Sequence, residues 1–110
     1  MKLETQTTGA VSVVHCEGNL DTNTSIEAQE HLDKLIEGGA SKILMDFGKV
    51  DFVSSAGLRI LLASAKRLGS SGGSLRVCSL NETVGEVFEI SGFSTILNVF
   101  GSEEEALQGF

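Results

Sequence analysis

The sequence contains no proline and only two cysteines, and both scarcities limit what kind of protein it encodes. Without proline, the connections between secondary-structure elements depend on glycine and small polar residues. Cys16 and Cys78 are each flanked by apolar, strand-like residues, a setting that predicts buried and reduced thiols. Thiols of this kind are typical of a cytoplasmic protein.

Basic residues and long apolar runs are also scarce. Eight Lys and Arg against fifteen Asp and Glu give a net charge of -7, which argues against the clustered positive charge that nucleic-acid binding requires. No run approaches the roughly 20 apolar residues of a membrane helix, and residues 1–5 lack the apolar centre of a signal peptide. We therefore expect an intracellular protein without direct nucleic-acid binding or membrane insertion, whose partners are proteins or small molecules.

The apolar residues that are present suffice for one core and alternate between strand and helix patterns. The 110 residues, 41% of them hydrophobic, fit a single compact domain spanning residues 1–110. Apolar spacing predicts strands at 2–8, 11–16, 42–47, 75–80 and 96–100, and helices over 26–36, 58–68, 84–90 and from about 103. This order predicts an α/β fold with a mixed, mostly parallel sheet of about five strands and about four helices.

Several helix boundaries carry recognisable signals. Asn81 is predicted to cap the third helix. Ser102 and Glu105 match the S-x-x-E capping box, so the acidic run 103–105 is predicted to begin a helix. The glycine-rich stretch 69–73 leads into a strand and not into a helix, so we interpret it as a flexible connection rather than a phosphate loop.

The most informative stretch is DFVSSAGL at residues 51–58, where an apolar strand gives way to an apolar helix. A hydroxyl held at such a junction can be a cap, a nucleophile or a switch. If Ser54 is the N-cap, its hydroxyl accepts a backbone N–H, and Ser55 takes the first helical position with an accessible hydroxyl. The N–H groups of residues 55–57 would then face solvent or a ligand, and Gly57 would allow close approach.

A phosphoryl group on Ser55 would meet those N–H donors and the positive end of the helix, so it should not unfold the domain. Its effect would be felt across an interface, next to Asp21 and Asp51. In the purely structural alternative, Ser54 is a cap, Ser55 is incidental and Gly57 only eases packing.

The nucleophile hypothesis requires a general base. Residues 53–57 match half of the G-x-S-x-G nucleophile elbow, with Val53 in place of the first glycine. A hydrolase of that type places its histidine after the nucleophile, whereas His15 and His31 both precede Ser55. Neither H-x-x-x-H nor C-x-x-C occurs. We therefore predict no catalytic residue, no metal site and no cofactor, and a small serine hydrolase is the weakest alternative.

Three segments in order resemble the STAS domain of bacterial anti-sigma factor antagonists. They are GNLD at 18–21, ILMDF at 43–47 and VSSAGL at 53–58, and the resemblance extends over essentially the whole chain. The family patterns read G-x-[LIV]-D and D-S-[SA]-G-[LI]. Aligning AGL places the phosphorylated serine of the family at Ser55, and Ser54 stands where the family usually has Asp.

The resemblance implies a phosphoprotein that regulates transcription by partner switching. The unphosphorylated form would bind an anti-sigma factor serine kinase and release the sigma factor. Phosphorylation of Ser55 would abolish binding, and a PP2C-type phosphatase would reverse it. By position, the implied partner-binding residues are Asp21, Ser54, Ser55, Ala56, Gly57 and Leu58, and Arg59 is an additional exposed candidate. Because Ser54 replaces the usual Asp, a STAS scaffold or transporter-associated subunit that docks without phosphorylation is the alternative.

Overall fold

A five-stranded sheet forms the centre of the protein in the computed structural model, which describes residues 1–93 and 97–110. The strands are β1 (Lys2–Thr8), β2 (Val11–Leu20), β3 (Lys42–Val53), β4 (Ser74–Cys78) and β5 (Asn98–Phe100). The helices of the described residues are α1 (Thr22–Glu37), α2 (Ser55–Ser70), α3 (Glu82–Ile90) and α4 (Glu103–Leu107). The strand order is β1-β2-β3-β4-β5, with β1 antiparallel to β2 and the other pairs parallel. The predicted α/β fold with a mixed, mostly parallel sheet is confirmed.

The connectivity places the helices in two layers. Each parallel crossover moves one strand further in the same direction, so right-handed crossovers put α1, α2 and α3 on one face of the sheet. Their buried side chains form the main core with alternate residues of β2, β3 and β4, including Val14, Leu32, Phe47, Leu61 and Phe88. The other face carries a smaller apolar cluster made by Val11, Val13, Leu44, Cys78 and Ala106 of α4. One face of β2, β3 and β4 is therefore covered by three helices, and the other face is only partly covered, while the edge strand β1 is largely exposed.

The two central strands run further than their apolar patterns predict. β2 continues beyond Cys16 to Leu20 and β3 continues beyond Phe47 to Val53. The two extensions pair with each other, with two irregularities in the register. They contain polar residues and glycines, so apolar spacing does not predict them as strands. The last strand was predicted from Ile96, which lies outside the described residues.

The strand predicted to end at Leu80 ends at Cys78, because Ser79 has a φ of 63° and turns the chain. The glycine-rich connection before this strand is present, but it is tightly held. The N–H of Gly73 donates to the Leu68 carbonyl at 2.7 Å, and a Cβ on Gly73 would overlap the carbonyl of Ser41. Glycine at position 73 is therefore a packing requirement rather than a sign of flexibility.

The predicted caps are present with one difference. The Asn81 side chain accepts the N–H of Val84 at 2.8 Å, as predicted. The Ser102 hydroxyl accepts the N–H of Glu105 at 3.2 Å. The Glu105 carboxylate, however, reaches the N–H of Gly101 at 3.3 Å instead of that of Ser102. Only half of the predicted capping box therefore forms.

Within the described part of the chain, none of the helices combines the length and the apolar character needed to cross a membrane.

Candidate functional site

The carboxyl ends of β2 and β3 lie side by side, and each leads directly into a helix. Leu20 pairs with Val53 in the parallel register, and the N–H of Ser54 donates to the Leu20 carbonyl at 2.8 Å. The N-termini of α1 and α2 therefore emerge at the same edge of the sheet. We call this region the junction edge and define it as Asp21 together with residues 54–58.

Ser54 is the N-cap of α2, as predicted. Its backbone is extended, with a φ of -89° and a ψ of 173°, and its hydroxyl accepts the N–H of Gly57 at 3.3 Å. Its carbonyl accepts the first intrahelical hydrogen bond, from Leu58 at 3.0 Å. Ser55 then occupies the first helical position and is exposed. One serine therefore completes the helix end while its neighbour presents its hydroxyl to solvent.

Asp21, which lies between β2 and α1, is the N-cap of α1. Its carboxylate accepts the backbone N–H groups of Asn23 at 2.9 Å and of Thr24 at 3.1 Å. The Thr24 hydroxyl in turn accepts the N–H of Asp21 at 2.9 Å, which completes a capping box. The hydrogen bond from the Thr24 backbone leads the interactions that hold the pKa of the Asp21 carboxyl below its usual value. The junction edge therefore carries a fixed negative charge.

The prediction that the N–H of Gly57 is free is wrong, because this group donates to the Ser54 hydroxyl. A Cβ on Gly57 would lie 2.7 Å from Cγ and 2.9 Å from the carbonyl oxygen of Leu20. Gly57 thus allows α2 to pack against the end of β2, and it does not open the surface to a ligand. Leu58 is only 4% exposed. These two residues support the junction edge from below, whereas Ser54 and Ala56 are half-buried and contribute to its surface.

Two exposed apolar residues lie close in sequence to the junction edge, and the apolar spacing did not predict their exposure. Phe52, near the end of β3, is 45% exposed, and Ile26, in the early part of α1, is 65% exposed. The periodicity of α1 predicted that Ile26 belongs to its buried face, which is wrong, and the same error applies to Ile90 of α3. Arg59, one helical turn after Ser55, is also exposed. Large apolar side chains left in solvent beside a polar site are typical of a protein-binding surface.

The two histidines bond to residues other than the serines of the junction edge. His15 Nδ1 lies 2.9 Å from a carboxylate oxygen of Asp46, and His31 Nε2 lies 2.6 Å from the Thr5 hydroxyl. A serine hydrolase requires an imidazole within hydrogen-bond reach of its nucleophile. The geometry therefore gives the hydrolase hypothesis no support.

A second polar group lies on the partly covered face of the sheet. His15 of β2, Asp46 of β3 and Glu103 of α4 each offer a donor atom, and these atoms lie within 4.8 Å of one another. We call these three residues the three-donor cluster. Local spacings such as H-x-x-x-H could not reveal it, because strand register and the docking of α4 bring the residues together. The prediction of no metal site rested on those local spacings alone.

The three-donor cluster borders an open cavity of about 530 Å³. Its lining residues are Lys2, Glu4, His15, Cys16, Glu17, Asp46, Gly48, Lys49 and Ser79. The two cysteines are buried and unpaired, as predicted. Burial raises the pKa of Cys16 to about 12 and that of Cys78 to about 11. Both thiols therefore stay protonated and unreactive at neutral pH.

Comparison with known proteins agrees with this architecture. Residues 2–106 match the STAS domain family. A Bordetella bronchiseptica protein named "Putative anti-sigma factor antagonist BtrV" is 34% identical over 110 residues, covering 100% of this chain and 95% of the relative. The anti-sigma F factor antagonist of Paenibacillus polymyxa is 27% identical over 108 residues, covering 97% of this chain and 92% of the relative.

Solved structures show the same fold at lower sequence identity. An anti-sigma factor antagonist from Mycobacterium paratuberculosis superimposes with a TM-score of 0.89 at 21% identity, covering 96% of this chain and 90% of that one. The antagonist SpoIIAA in its unphosphorylated form gives a TM-score of 0.82 at 23% identity, covering 96% and 93%. The phosphorylated form of SpoIIAA from Bacillus gives 0.73 at 23% identity, covering 96% of each chain. The family match and the curated relatives together establish that this chain belongs to the STAS domain family, among the anti-sigma factor antagonists.

Proposed function

We propose that this chain is a partner-switching antagonist in which Ser55 is the phosphorylated residue. Its unphosphorylated form binds an anti-sigma factor serine kinase and thereby releases a sigma factor. Phosphorylation of Ser55 abolishes that binding, and a PP2C-type phosphatase restores it. One observation carries the proposal: Ser55 presents an exposed hydroxyl at the first position of α2, while the adjacent Ser54 is occupied as the N-cap.

The helix end can accept a phosphoryl group without unfolding. The first N–H groups of an α-helix have no intrahelical acceptor, and those of Ser55 and Ala56 belong to this set. The positive end of the α2 dipole stabilises a nearby anion by about 0.3 to 1 kcal/mol. Arg59 lies four residues after Ser55, on the same side of the helix, where its guanidinium can pair with a phosphate. Phosphorylation therefore leaves the domain folded.

The consequence of phosphorylation is felt by the partner. A phosphoserine adds nearly two negative charges at neutral pH, beside the fixed carboxylate of Asp21. Phe52 and Ile26 are exposed in the free chain and provide apolar area that a partner can cover. Apolar side chains that become buried in an interface contribute much of the binding energy. A partner that binds over the Ser55 hydroxyl and these apolar side chains would have to remove water from the phosphate, which weakens binding. Release of the partner follows.

The names of the relatives support the proposal. Two curated relatives are named as antagonists of anti-sigma factors, and the fold also occurs in a protein solved in phosphorylated and unphosphorylated forms. The buried, protonated thiols of Cys16 and Cys78 fit the cytoplasm, where sigma factors act on RNA polymerase.

The test uses the purified chain, a cognate anti-sigma factor kinase and ATP, with intact mass spectrometry as the readout. We expect a gain of one phosphate group in the wild type and in Ser54→Ala. We expect no gain in Ser55→Ala. The matched pair separates two neighbouring hydroxyls of the same junction edge. A phosphate that remains in Ser55→Ala contradicts the proposal.

A non-switching STAS scaffold or transporter-associated subunit is the second candidate, and one observation favours it. The family pattern places Asp immediately before the phosphorylated serine, whereas this chain has Ser54. If kinase recognition depends on that carboxylate, the wild type will bind its partner without accepting phosphate. Ser54→Asp would then gain phosphorylation at Ser55, because aspartate both caps the helix and restores the charge.

A further inference from the structure

We propose that His15 and Glu103 of the three-donor cluster are ligands of a divalent metal ion of the zinc class, and that Asp46 orients His15 for this role. The ion would tie α4 to β2 and β3 on the partly covered face of the sheet. This site goes beyond the proposed switch and does not involve Ser55.

The orientation of His15 favours metal binding. The 2.9 Å contact between its Nδ1 and Asp46 selects the tautomer in which Nδ1 carries the proton and donates to the carboxylate. The lone pair of Nε2 then faces a carboxylate oxygen of Glu103 at 3.7 Å. A carboxylate on one ring nitrogen and a metal on the other is the usual arrangement of metal-bound histidine. Asp46 is therefore the positioning residue, and His15 and Glu103 are the ligands.

The separation of the two ligand atoms fits a metal ion between them. Two ligands about 2.1 Å from a tetrahedral zinc ion lie roughly 3.4 Å apart, close to the 3.7 Å between His15 Nε2 and Glu103. Without a cation, two acceptor atoms face each other in this neutral tautomer. A metal ion held between the two atoms removes that repulsion.

The surroundings preorganise the cluster and leave it accessible. The second carboxylate oxygen of Asp46 accepts the N–H of Gly48 at 2.9 Å, which fixes the carboxylate that orients His15. All three cluster residues are half-buried, and the adjoining cavity of about 530 Å³ has room for the waters that complete a coordination shell.

The charge around the cluster is mixed and on balance attracts a cation. The cavity that adjoins it also contains two glutamates and two lysines. One lysine, Lys2, is paired with Glu4 at 3.3 Å. Imidazole nitrogen with carboxylate oxygen is a donor set suited to zinc and neighbouring transition metals rather than to calcium or magnesium.

Metal binding should order α4. This helix has only five residues, and helices so short are marginal without tertiary contacts. Its attachment includes Ala106, packed with Val13 and Leu44 of the sheet. The Arg76 guanidinium of β4 also donates to the Ala106 carbonyl at 2.9 Å, near the end of the helix. A bond from Glu103 through the metal to His15 would add an attachment at the start of the helix.

The experiment is a titration of zinc chloride into the chelator-treated chain at neutral pH, followed by calorimetry and by hydrogen exchange. We expect saturable one-to-one binding with a submillimolar dissociation constant and slower exchange in α4. His15→Gln and Glu103→Gln should weaken binding at least about tenfold, and Asp46→Asn should weaken it about tenfold through loss of orientation. His31→Gln and Glu104→Gln are the matched controls and should bind as the wild type does.

The outcome that overturns the site is equal zinc binding by the wild type and His15→Gln, or no saturable binding by the wild type. Circular dichroism of each variant checks that the fold is retained. Ser55→Ala should bind zinc normally, so failure of this site and failure of the phosphorylation switch are separate results.

Discussion

The junction edge and the three-donor cluster occupy the same sheet but are built in opposite ways. Most of the junction edge is one run of consecutive residues, 54–58, and Asp21 joins it from the end of β2. Short side chains complete both helix ends: the Ser54 hydroxyl accepts the N–H of Gly57, and the Asp21 carboxylate accepts the N–H of Thr24. In the three-donor cluster, His15 and Asp46 are 31 residues apart in the sequence and meet through strand register. A site of the first kind leaves a contiguous motif, whereas a site of the second kind leaves isolated residues with no local signature. The first also depends on tight backbone packing, while the second is held by half-exposed side chains.

The largest expected effect comes from disturbing the packing beneath the junction edge. Gly57→Ala places a methyl group against Leu20, so we expect a loss of about 2 kcal/mol in the free energy of unfolding, as in other overpacked sites. Gly69→Ala is the matched control in the same helix, because a Cβ there meets nothing within 4 Å. It should stabilise the chain by about 0.5 kcal/mol. Urea denaturation of both variants measures this, and a stabilised Gly57→Ala would contradict the packing role.

Substitution of Ser54 or Ser55 should have a smaller effect on the free energy of unfolding, and the two variants should differ. Ser54→Ala removes the side-chain acceptor for the N–H of Gly57, and loss of an N-cap costs about 1 kcal/mol. Ser55→Ala removes an exposed hydroxyl and should change the free energy of unfolding by less than about 0.5 kcal/mol. Equal losses for both variants in thermal or urea unfolding would show that the cap and the exposed hydroxyl have been assigned wrongly.

The three-donor cluster should matter less to stability than the N-cap of α2. The side chains of His15 and Asp46 are 39% and 22% exposed, and a hydrogen bond of this kind contributes about 1 kcal/mol. Asp46→Asn keeps an oxygen for the N–H of Gly48, so we expect a loss of about 0.5 kcal/mol in metal-free buffer. A loss as large as that of Gly57→Ala in urea denaturation would mean that the cluster is a structural core element.

The smallest expected effect is the contribution of Asp21 to stability, which changes only at acidic pH. Because the folded state lowers the pKa of Asp21, its ionised form stabilises the fold above the unfolded-state pKa of about 3.9. That contribution is lost as the pH falls through the lower folded-state pKa. Asn is an equally good N-cap, so the stability of Asp21→Asn should fall less steeply with acid than that of the wild type. Urea denaturation at several pH values measures this. If the free energy of unfolding of the wild type and of Asp21→Asn falls equally with pH, the lowered pKa of Asp21 is contradicted.

Local signals predicted most of the fold, and tertiary context explains the rest. Apolar spacing and the caps at Ser54 and Asn81 located the elements, because helix starts are encoded by short polar side chains next to periodic apolar residues. The polar ends of β2 and β3 carry no such spacing, and only their mutual pairing makes them strands. The exposure of Ile26 depends on where the neighbouring elements end, which its periodicity does not encode.

The candidate site divides in the same way. The roles of Ser54 as cap and of Ser55 as first helical residue could be predicted from a contiguous motif. The packing role of Gly57 could not, since it depends on Leu20 from a distant part of the sequence. Glu103 was assigned to helix-start chemistry, which is correct, and its second contact with His15 depends on how α4 docks on the sheet.

The measurement that tests the central claim most directly is calorimetric binding of the anti-sigma factor kinase to two preparations of the same chain, one unphosphorylated and one phosphorylated on Ser55. We expect tight binding of the first and at least about 30-fold weaker binding of the second, equivalent to about 2 kcal/mol. Circular dichroism should show the same folded domain in both. Equal affinity of the two preparations would contradict the account.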